Sequence, residues 1–262
     1  MQLILNIKKS LEQNAGHYFE KAKKARKKIK GAEEAIAIAK AKLEKLKKEA
    51  EKEEKEKTVI ERKKEWYEKF RWFVSSEDFL CIGGRDATTN DIIVKKHLDK
   101  DDLVFHTEMP GSPFVIVKAD GREIGEKTKK EAAQFTAANS RAWNTNLVSV
   151  EAYCVNSDQV SLETPSGEYM GKGSFMIYGK KNFVSSLLKI SIGIMKEGRI
   201  MAAPEEAVKK HCIAYVNIKQ GSVKKSDCAK KVKKILEDKS KIRINLDDVM
   251  AAMPPGDCEV KQ

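Results

Sequence analysis

Few residues of this sequence have the types and spacing that acid–base or metal chemistry requires. Asp86, His97, His106 and Glu108 could in principle form a metal site or a general acid–base site. Their spacing matches no standard set of metal ligands, and His106 within LVFHTEM is typical of a half-buried histidine on a strand. Ser112 lacks the G-x-S-x-G context of a hydrolase nucleophile. The sequence therefore predicts no enzyme, no cofactor and no metal, and a metal-dependent hydrolase is the least favoured alternative.

The cysteines and the apolar runs bear on the cellular compartment of the protein rather than on a catalytic activity. The five cysteines form no C-x-x-C pair, and their odd number suits a reducing environment better than a disulfide framework. No apolar run approaches the roughly 20 residues of a membrane span. The start, MQLILNIKKS, is too short and wrongly ordered for a signal peptide. These features predict a cytoplasmic protein without a membrane partner.

A stretch rich in glycine and lysine, GEYMGKGSFMIYGKKNF at 167–183, could contact a phosphate backbone. Glycine lets the backbone approach a ligand, and Lys172, Lys180 and Lys181 supply positive charge. Aromatic residues are interleaved with them, as in grooves that bind single-stranded nucleic acid. A pair of strands with glycine bulges would explain the glycines equally well. The stretch contains no GxxxxGK[ST], so it is not a P-loop.

A second concentration of positive charge lies near the start of the chain. The net charge is +12, and residues 1–65 carry 20 Lys and Arg against 12 Asp and Glu. Between 21 and 30 no acidic residue interrupts a basic run, which includes Lys21, Lys23, Lys24, Arg26, Lys27 and Lys28. Such a run is often only a solvated face. Here like charges crowd a few helical turns, and an anionic partner would relieve their repulsion, so an RNA backbone or an acidic protein patch is expected.

The order of several motifs resembles a known family. WYEKFRWF, IGGRDATTN, VKKHL, HTEMPGSPF and GEYMGKGSFMIYGKKNF, in this order, resemble the RNA-binding domain of the NFACT family of ribosome-associated quality-control factors. NAGHYFEKAKKARKKIKGAEEAI is similar to the coiled-coil opening of that family, and AYVNIKQGSVKKSDCAKKV is similar to its C-terminal part. The N-terminal domain of the family has no counterpart in the sequence, which is expected to be a fragment or the product of a split gene.

The resemblance implies partners and candidate site residues. Members of the family bind the large ribosomal subunit that carries a stalled peptidyl-tRNA, recruit tRNA, and add a C-terminal tail without a message. Beyond the basic residues named above, the resemblance implies two further candidates for nucleic-acid binding, Arg85 and Asn182. The same motifs include Asp86, His106, Gly111 and Gly173, which either contact RNA or only maintain the fold. We expect no tailing by this chain alone.

The element that carries the basic run is predicted to be a long helix from about His17 to Lys57. Apolar residues from Tyr18 to Ala50 recur at alternating steps of four and three, which is a heptad seam. The seam predicts a coiled coil, with a lone charged helix as the alternative. Trp66, Phe70 and Phe73 continue the helical spacing and suggest that the helix returns into the body there.

The predicted fold class is α+β, with an N-terminal coiled-coil arm and a compact, mixed, largely antiparallel sheet body with short helices. We predict an arm at 1–65, an RNA-binding-like domain at 66–184 and a small C-terminal α+β domain at 185–262. Local patterns predict a helix capped by Asn90 or Asp91. They also predict a capping box at Thr128 and Glu131 that opens a helix to about Trp143.

The hypothesis from the sequence is a binding module that holds tRNA or ribosomal RNA through phosphate contacts. A coiled-coil scaffold, which recruits a partner protein or self-associates through the arm, is the alternative. An adhesin-type surface protein is a third class, and the missing export signal argues against it.

Overall fold

The computed structural model describes residues 4–55, 63–109, 111–145, 147–161, 171 and 173–261. The chain divides into two compact units, residues 1–56 and residues 57–262. Within the described residues, no helix is both long enough and apolar enough to cross a membrane.

The first unit is dominated by one helix, α1 (Leu11–Lys55). It begins earlier than the sequence predicted, because Ser10 and Gln13 cap it. The Gln13 amide donates to the Ser10 hydroxyl at 3.2 Å, and the Ser10 amide donates to the Gln13 side chain at 3.1 Å. The buried side chain of Asn14 then holds the preceding residues with bonds to the backbone of Asn6, Lys9 and Ser10. At 1.5 Å per residue, 45 residues span roughly 68 Å.

The second unit begins with a six-stranded sheet whose strand pairs are all antiparallel. Its order is β1-β2-β4-β3-β5-β8. The strands are β1 (Arg71–Val74), β2 (Leu80–Gly83), β3 (Leu103–Thr107), β4 (Val115–Val117), β5 (Ser149–Asn156) and β8 (Asn182–Leu187). A short pair, β6 (Val160–Ser161) and β7 (Met176–Ile177), stands beside it. Helices α2 (Ala87–His97) and α3 (Glu126–Ala138) connect these strands.

A four-stranded antiparallel sheet follows, in the order β10-β9-β11-β12. Its elements are β9 (Lys189–Met195), β10 (Ile200–Ala203), α4 (Glu205–His211), β11 (Cys212–Gln220), α5 (Lys225–Ser240), α6 (Leu246–Ala252) and β12 (Cys258–Val260). Fully buried side chains such as Phe73, Phe135 and Ile192 belong to one hydrophobic cluster that draws on both sheets. The mixed, antiparallel α+β body is therefore as predicted. The chain passes from the first sheet to the second between β8 and β9, whereas the predicted boundary between 184 and 185 lies within β8. The division into separate domains there stays a prediction.

The helical interpretation of the aromatic stretch is wrong. Trp66–Lys69 is one 3-10 turn, and the chain then enters strand β1. Trp72 lies opposite Ile82 in the ladder with β2, and Phe70, Trp72 and Phe73 are all buried. Burial on both sides of a short strand thus overrides a spacing that also fits a helix. Residues 56–62, through which the predicted helix would return into the body, lie outside the described residues.

Two predicted helix starts are also wrong. Asp86, not Asn90 or Asp91, caps α2, because its carboxylate accepts from the Thr89 amide at 2.8 Å. Helix α3 begins at Glu126 and ends at Ala138, before Trp143. Thr128 and Glu131 bind outside the helix: the Thr128 hydroxyl donates to Glu77, and the Glu131 carboxylate accepts from the Ser76 amide at 2.8 Å.

Candidate nucleic-acid interface

One cleft of the second unit brings together five of the positions that the motifs singled out. Its volume is about 680 Å³, and its lining includes Arg85, Asp86, His106, Gly111 and Gly173. These residues come from three separate segments of the sequence. A cleft of this size is in the range of pockets for small molecules or single nucleotides.

An aromatic wall forms along one side of the cleft through the register of three strands. His106 on β3 lies opposite Tyr153 on β5, and Tyr153 lies opposite Phe183 on β8. The ring of His106 is 4.6 Å from Phe114, and Phe114 is 4.7 Å from Phe175. Phe114 and Tyr153 are buried, whereas Phe183 is 50% exposed. The aromatic wall is therefore packed at Phe114 and Tyr153 and exposes ring surface at Phe183.

His106 joins this wall as a neutral ring. Its Nδ1 lies 3.3 Å from the Tyr153 hydroxyl. Burial lowers the pKa of His106 below the ordinary histidine value, despite raising contributions from the neighbouring backbone and Glu108. Burial also raises the pKa of Tyr153 to about 12. At neutral pH both side chains are uncharged, so any positive charge in the cleft comes from other residues.

Three arginines supply that charge. The Arg85 guanidinium donates to the carbonyls of Ala251 at 2.7 Å, Phe70 at 2.9 Å and Lys69 at 3.0 Å. Arg71 donates to the Asn139 side chain at 2.8 Å, and burial, with the charge of Arg85, lowers its pKa to about 10.

Arg141 differs from the other two arginines. Its side chain is exposed and forms no hydrogen bond or ion pair within the described part of the chain. It crosses Gly111, whose φ is +80°, and a Cβ at Gly111 would lie 2.7 Å from the Arg141 Nε. Gly111 therefore lets the loop pass beneath this guanidinium.

The mouth of the cleft is built by the start of α2 and the loop at Gly173. Gly173 has φ of +76°, and a Cβ there would lie 2.5 Å from the backbone of Ala87. The Asn90 side chain accepts from the Phe114 amide at 3.1 Å and ties α2 to the aromatic wall. Asp86 is occupied by capping Thr89. Gly173 and Asp86 thus shape the mouth of the cleft, and their contact with RNA stays a prediction.

The other predicted binding residues are not part of the cleft lining, and one of them lies outside the described residues. Lys181 pairs with Glu108 at 2.7 Å and lies 4.5 Å from the centre of the Tyr153 ring, at the outer end of the aromatic wall. Lys180 and Asn182 are exposed beside it, and Lys172 lies outside the described residues. The arm residues Lys21, Lys23, Lys24, Arg26, Lys27 and Lys28 are exposed on α1, in the first unit, and none forms an ion pair with a described residue.

Sequence reasoning missed Arg71, Arg141 and Tyr153. Arg71 and Tyr153 sit in apolar strands, where a single polar residue draws no attention. Arg141 follows a helix and belongs to no motif. Within the described ranges no group of three or more His, Cys, Asp and Glu side chains could hold a metal ion.

Comparisons with known proteins match this region. Residues 69–179 match the family model described as the NFACT protein RNA binding domain. The chain is 40% identical over 208 residues to the archaeal Rqc2 homolog aRqcH of Methanocaldococcus jannaschii, covering 78% of this chain and 30% of that protein. It is 39% identical over 176 residues to the human ribosome quality control complex subunit NEMF, covering 65% of this chain and 16% of that protein.

The chain therefore spans less than a third of the length of these relatives. Among solved structures, the C-terminal part of the fibronectin/fibrinogen-binding protein from Streptococcus suis aligns with a TM-score of 0.39 and 21% identity. That alignment covers 58% of this chain and 51% of the other.

Proposed function

The chain belongs to the NFACT family of ribosome quality-control factors, and we propose that it is the part of such a factor that binds tRNA or the RNA of the large ribosomal subunit. The family gives the quality-control role, and the finer statement about which RNA is bound is our proposal. Its place of action would be the cytoplasm, with the ribosome. In a full-length family member this binding would support message-independent tailing of the stalled chain.

One observation carries the proposal: the cleft joins three arginines to an aromatic wall, and most of its lining lies within the range matched by the RNA-binding family model. Arginine forms charge-assisted bonds to phosphate, and aromatic rings stack on bases. Asp86 is the one acidic side chain among the described lining residues, and it is engaged in capping α2. The cleft is thus electropositive and suited to RNA.

The exposed lysines on α1 would add a second contact of a different kind. Lysine acts as a mobile point charge toward phosphate and carries no sequence information. Binding along α1 would therefore raise affinity for any RNA, whereas the cleft would set the geometry. The absence of enzymatic activity stays a prediction.

Sedimentation with purified large ribosomal subunits and fluorescence anisotropy with tRNA test the proposal. We expect the full chain to co-sediment with the subunits and to bind tRNA. Changing Lys180 and Lys181 together to Glu should weaken both by about ten-fold, since two charges are reversed at the outer end of the aromatic wall. Absence of binding to either RNA would contradict the proposal.

A second candidate function is a coiled-coil scaffold, and the exposed seam of α1 supports it. Ile29, Ile36, Leu43 and Leu46 are each more than half exposed, from 53% to 58%. Apolar residues at heptad spacing are typical of helices that pack against another helix. Changing Ile29, Ile36 and Leu43 to Gln in the full chain should abolish self-association or partner capture and leave tRNA affinity unchanged. If association were unchanged in this variant, the coiled-coil scaffold would be contradicted.

A further inference from the structure

We propose that the cleft takes one unstacked nucleotide of the bound RNA, with its base against the aromatic wall and its phosphate at Arg141. This inference rests on the proposed function, since it names what part of an RNA enters. A free mononucleotide has the same chemistry, so the test separates the two sources.

The size of the cleft excludes a helix and suits a single residue of RNA. A volume of about 680 Å³ accommodates a small ligand and is too small to enclose an RNA duplex. Bases within a duplex also hide their faces from side chains. An RNA can therefore place a residue here only from a loop, a bulge or an end.

The aromatic wall leaves ring surface for a base at its inner end. Phe175 and His106 line the cleft and are half-buried, while Phe114 behind them is buried at 4% exposure. Phe175 meets Phe114 edge to face, with an interplanar angle of 75°. Phe114 thus fixes the ring of Phe175 from behind. A fixed, partly exposed ring is a stacking surface that tolerates any base.

One of the three cleft arginines has no partner among the described residues and is open to a phosphate. Arg85 is held by three backbone carbonyls, and Arg71 by Asn139 and the carbonyl of Met253. Among the described residues neither has a carboxylate as a hydrogen-bond partner, so both contribute positive potential to the cleft. Arg141 is exposed and has no hydrogen bond or ion pair with a described residue, so it is the arginine that can bind a phosphate in the bidentate geometry of guanidinium.

The test places 2-aminopurine, whose fluorescence falls when it stacks, at one position of an unstructured ten-residue RNA. Binding is followed in parallel by anisotropy of a terminal dye. We expect the 2-aminopurine signal to fall on saturation with the full chain. Phe175→Leu, which keeps apolar packing, should remove that fall and weaken anisotropy binding about ten-fold. Arg141→Gln should weaken binding by a similar factor.

Matched controls separate a specific loss from a general one. Lys234→Gln removes one exposed positive charge on α5, away from the cleft lining, and should leave the 2-aminopurine signal unchanged. His106→Phe keeps an aromatic ring and should retain stacking, whereas His106→Ala should lose it. Thermal unfolding of each variant checks that the fold is intact.

Two results would overturn the inference without touching the proposed function: anisotropy binding with no change in 2-aminopurine fluorescence, or equal weakening by Lys234→Gln and Arg141→Gln. Adenosine monophosphate that binds as tightly as the RNA would assign the cleft to a free nucleotide and overturn it as well. Absence of anisotropy binding would overturn both this inference and the proposed function.

Discussion

The helix α1 and the cleft of the second unit both concentrate positive charge, but they hold it in opposite ways. On α1 six basic side chains, from Lys21 to Lys28, are exposed and unpaired among the described residues. In the cleft Arg71 and Arg85 are fixed by main-chain carbonyls and by Asn139. Solvated lysines supply attraction at little structural cost, whereas arginines held by hydrogen bonds to carbonyls present their charge in a fixed orientation. Under the proposed function, affinity and geometry would therefore be carried by different parts of the chain.

The largest expected effect comes from removing the charge on α1. Changing the six basic residues there to Gln should lower the affinity for tRNA about 100-fold at roughly 0.1 M salt, because several phosphate contacts are lost together. The changed residues are Lys21, Lys23, Lys24, Arg26, Lys27 and Lys28. Fluorescence anisotropy measures the affinity at fixed salt.

The control for this variant changes six exposed lysines of the second unit to Gln, with the same change in net charge. They are Lys219, Lys224, Lys230, Lys231, Lys234 and Lys241. We expect at most a few-fold loss. Equal losses from both variants would mean that overall charge, not the run on α1, determines affinity.

An intermediate effect is expected at Gly173, where the cleft depends on exact packing. Gly173→Ala should lower the free energy of unfolding of the second unit by about 1–3 kcal/mol, because φ is +76° and the new Cβ would strike the Ala87 backbone. Chemical denaturation followed by tryptophan fluorescence measures this loss.

Gly171→Ala is the matched control, since among the described residues a Cβ there meets only the Ser174 hydroxyl oxygen, at 3.8 Å. It should change the free energy of unfolding by less than about 0.5 kcal/mol. If the two substitutions behaved alike, the close approach of the Gly173 loop to α2 would not be important for the cleft.

The smallest expected effect tests whether the charge of Lys225 in the second unit lowers the free energy of unfolding. Lys225 donates to the Met253 carbonyl, which also accepts from Arg71, and burial together with the charge of Arg71 lowers the pKa of Lys225 to about 8. The depressed pKa means that the charged lysine destabilises the fold fully below pH 8. The penalty is relieved as pH rises from about 8 to the unfolded value of about 10.4.

Lys225→Met should therefore raise the free energy of unfolding by about 1–2 kcal/mol at pH 7. The gain over the unchanged chain should shrink between pH 8 and about 10.4, where the unchanged chain loses its own penalty. Urea denaturation at pH 7 and at pH 9.5 measures both values. A gain that is the same at the two pH values would show that the ammonium charge is not the cause.

How far the sequence predicts the fold depends on the range of the interactions. Local patterns predicted the mixed, largely antiparallel α+β body, because short apolar runs bounded by glycine and other turn residues are typical of short strands. They failed at Thr128 and Glu131, whose partners lie on the Ser75–Glu77 segment about fifty residues away. A capping box and a tertiary contact use the same residue types.

The candidate site was predictable only in part for the same reason. The motifs named Arg85, His106 and Gly173, and the cleft includes all three. The motifs did not tell which residues hold the structure of the site and which could contact a ligand. The hydrogen bonds of Arg85 to carbonyls, for example, form only because the fold brings Lys69 and Ala251 together. Arg141 and Tyr153 reach the cleft through strand register and a turn after α3, which no short pattern encodes. The RNA contacts of the individual residues stay predictions.

The dependence of tRNA affinity on salt tests most directly the claim that the chain holds RNA by phosphate contacts. With about four contacts shared between α1 and the cleft, the affinity of the full chain should fall roughly 50- to 150-fold between 50 and 200 mM salt. The variant with α1 neutralised should show a clearly shallower slope. An affinity that stays constant over this range would contradict the account.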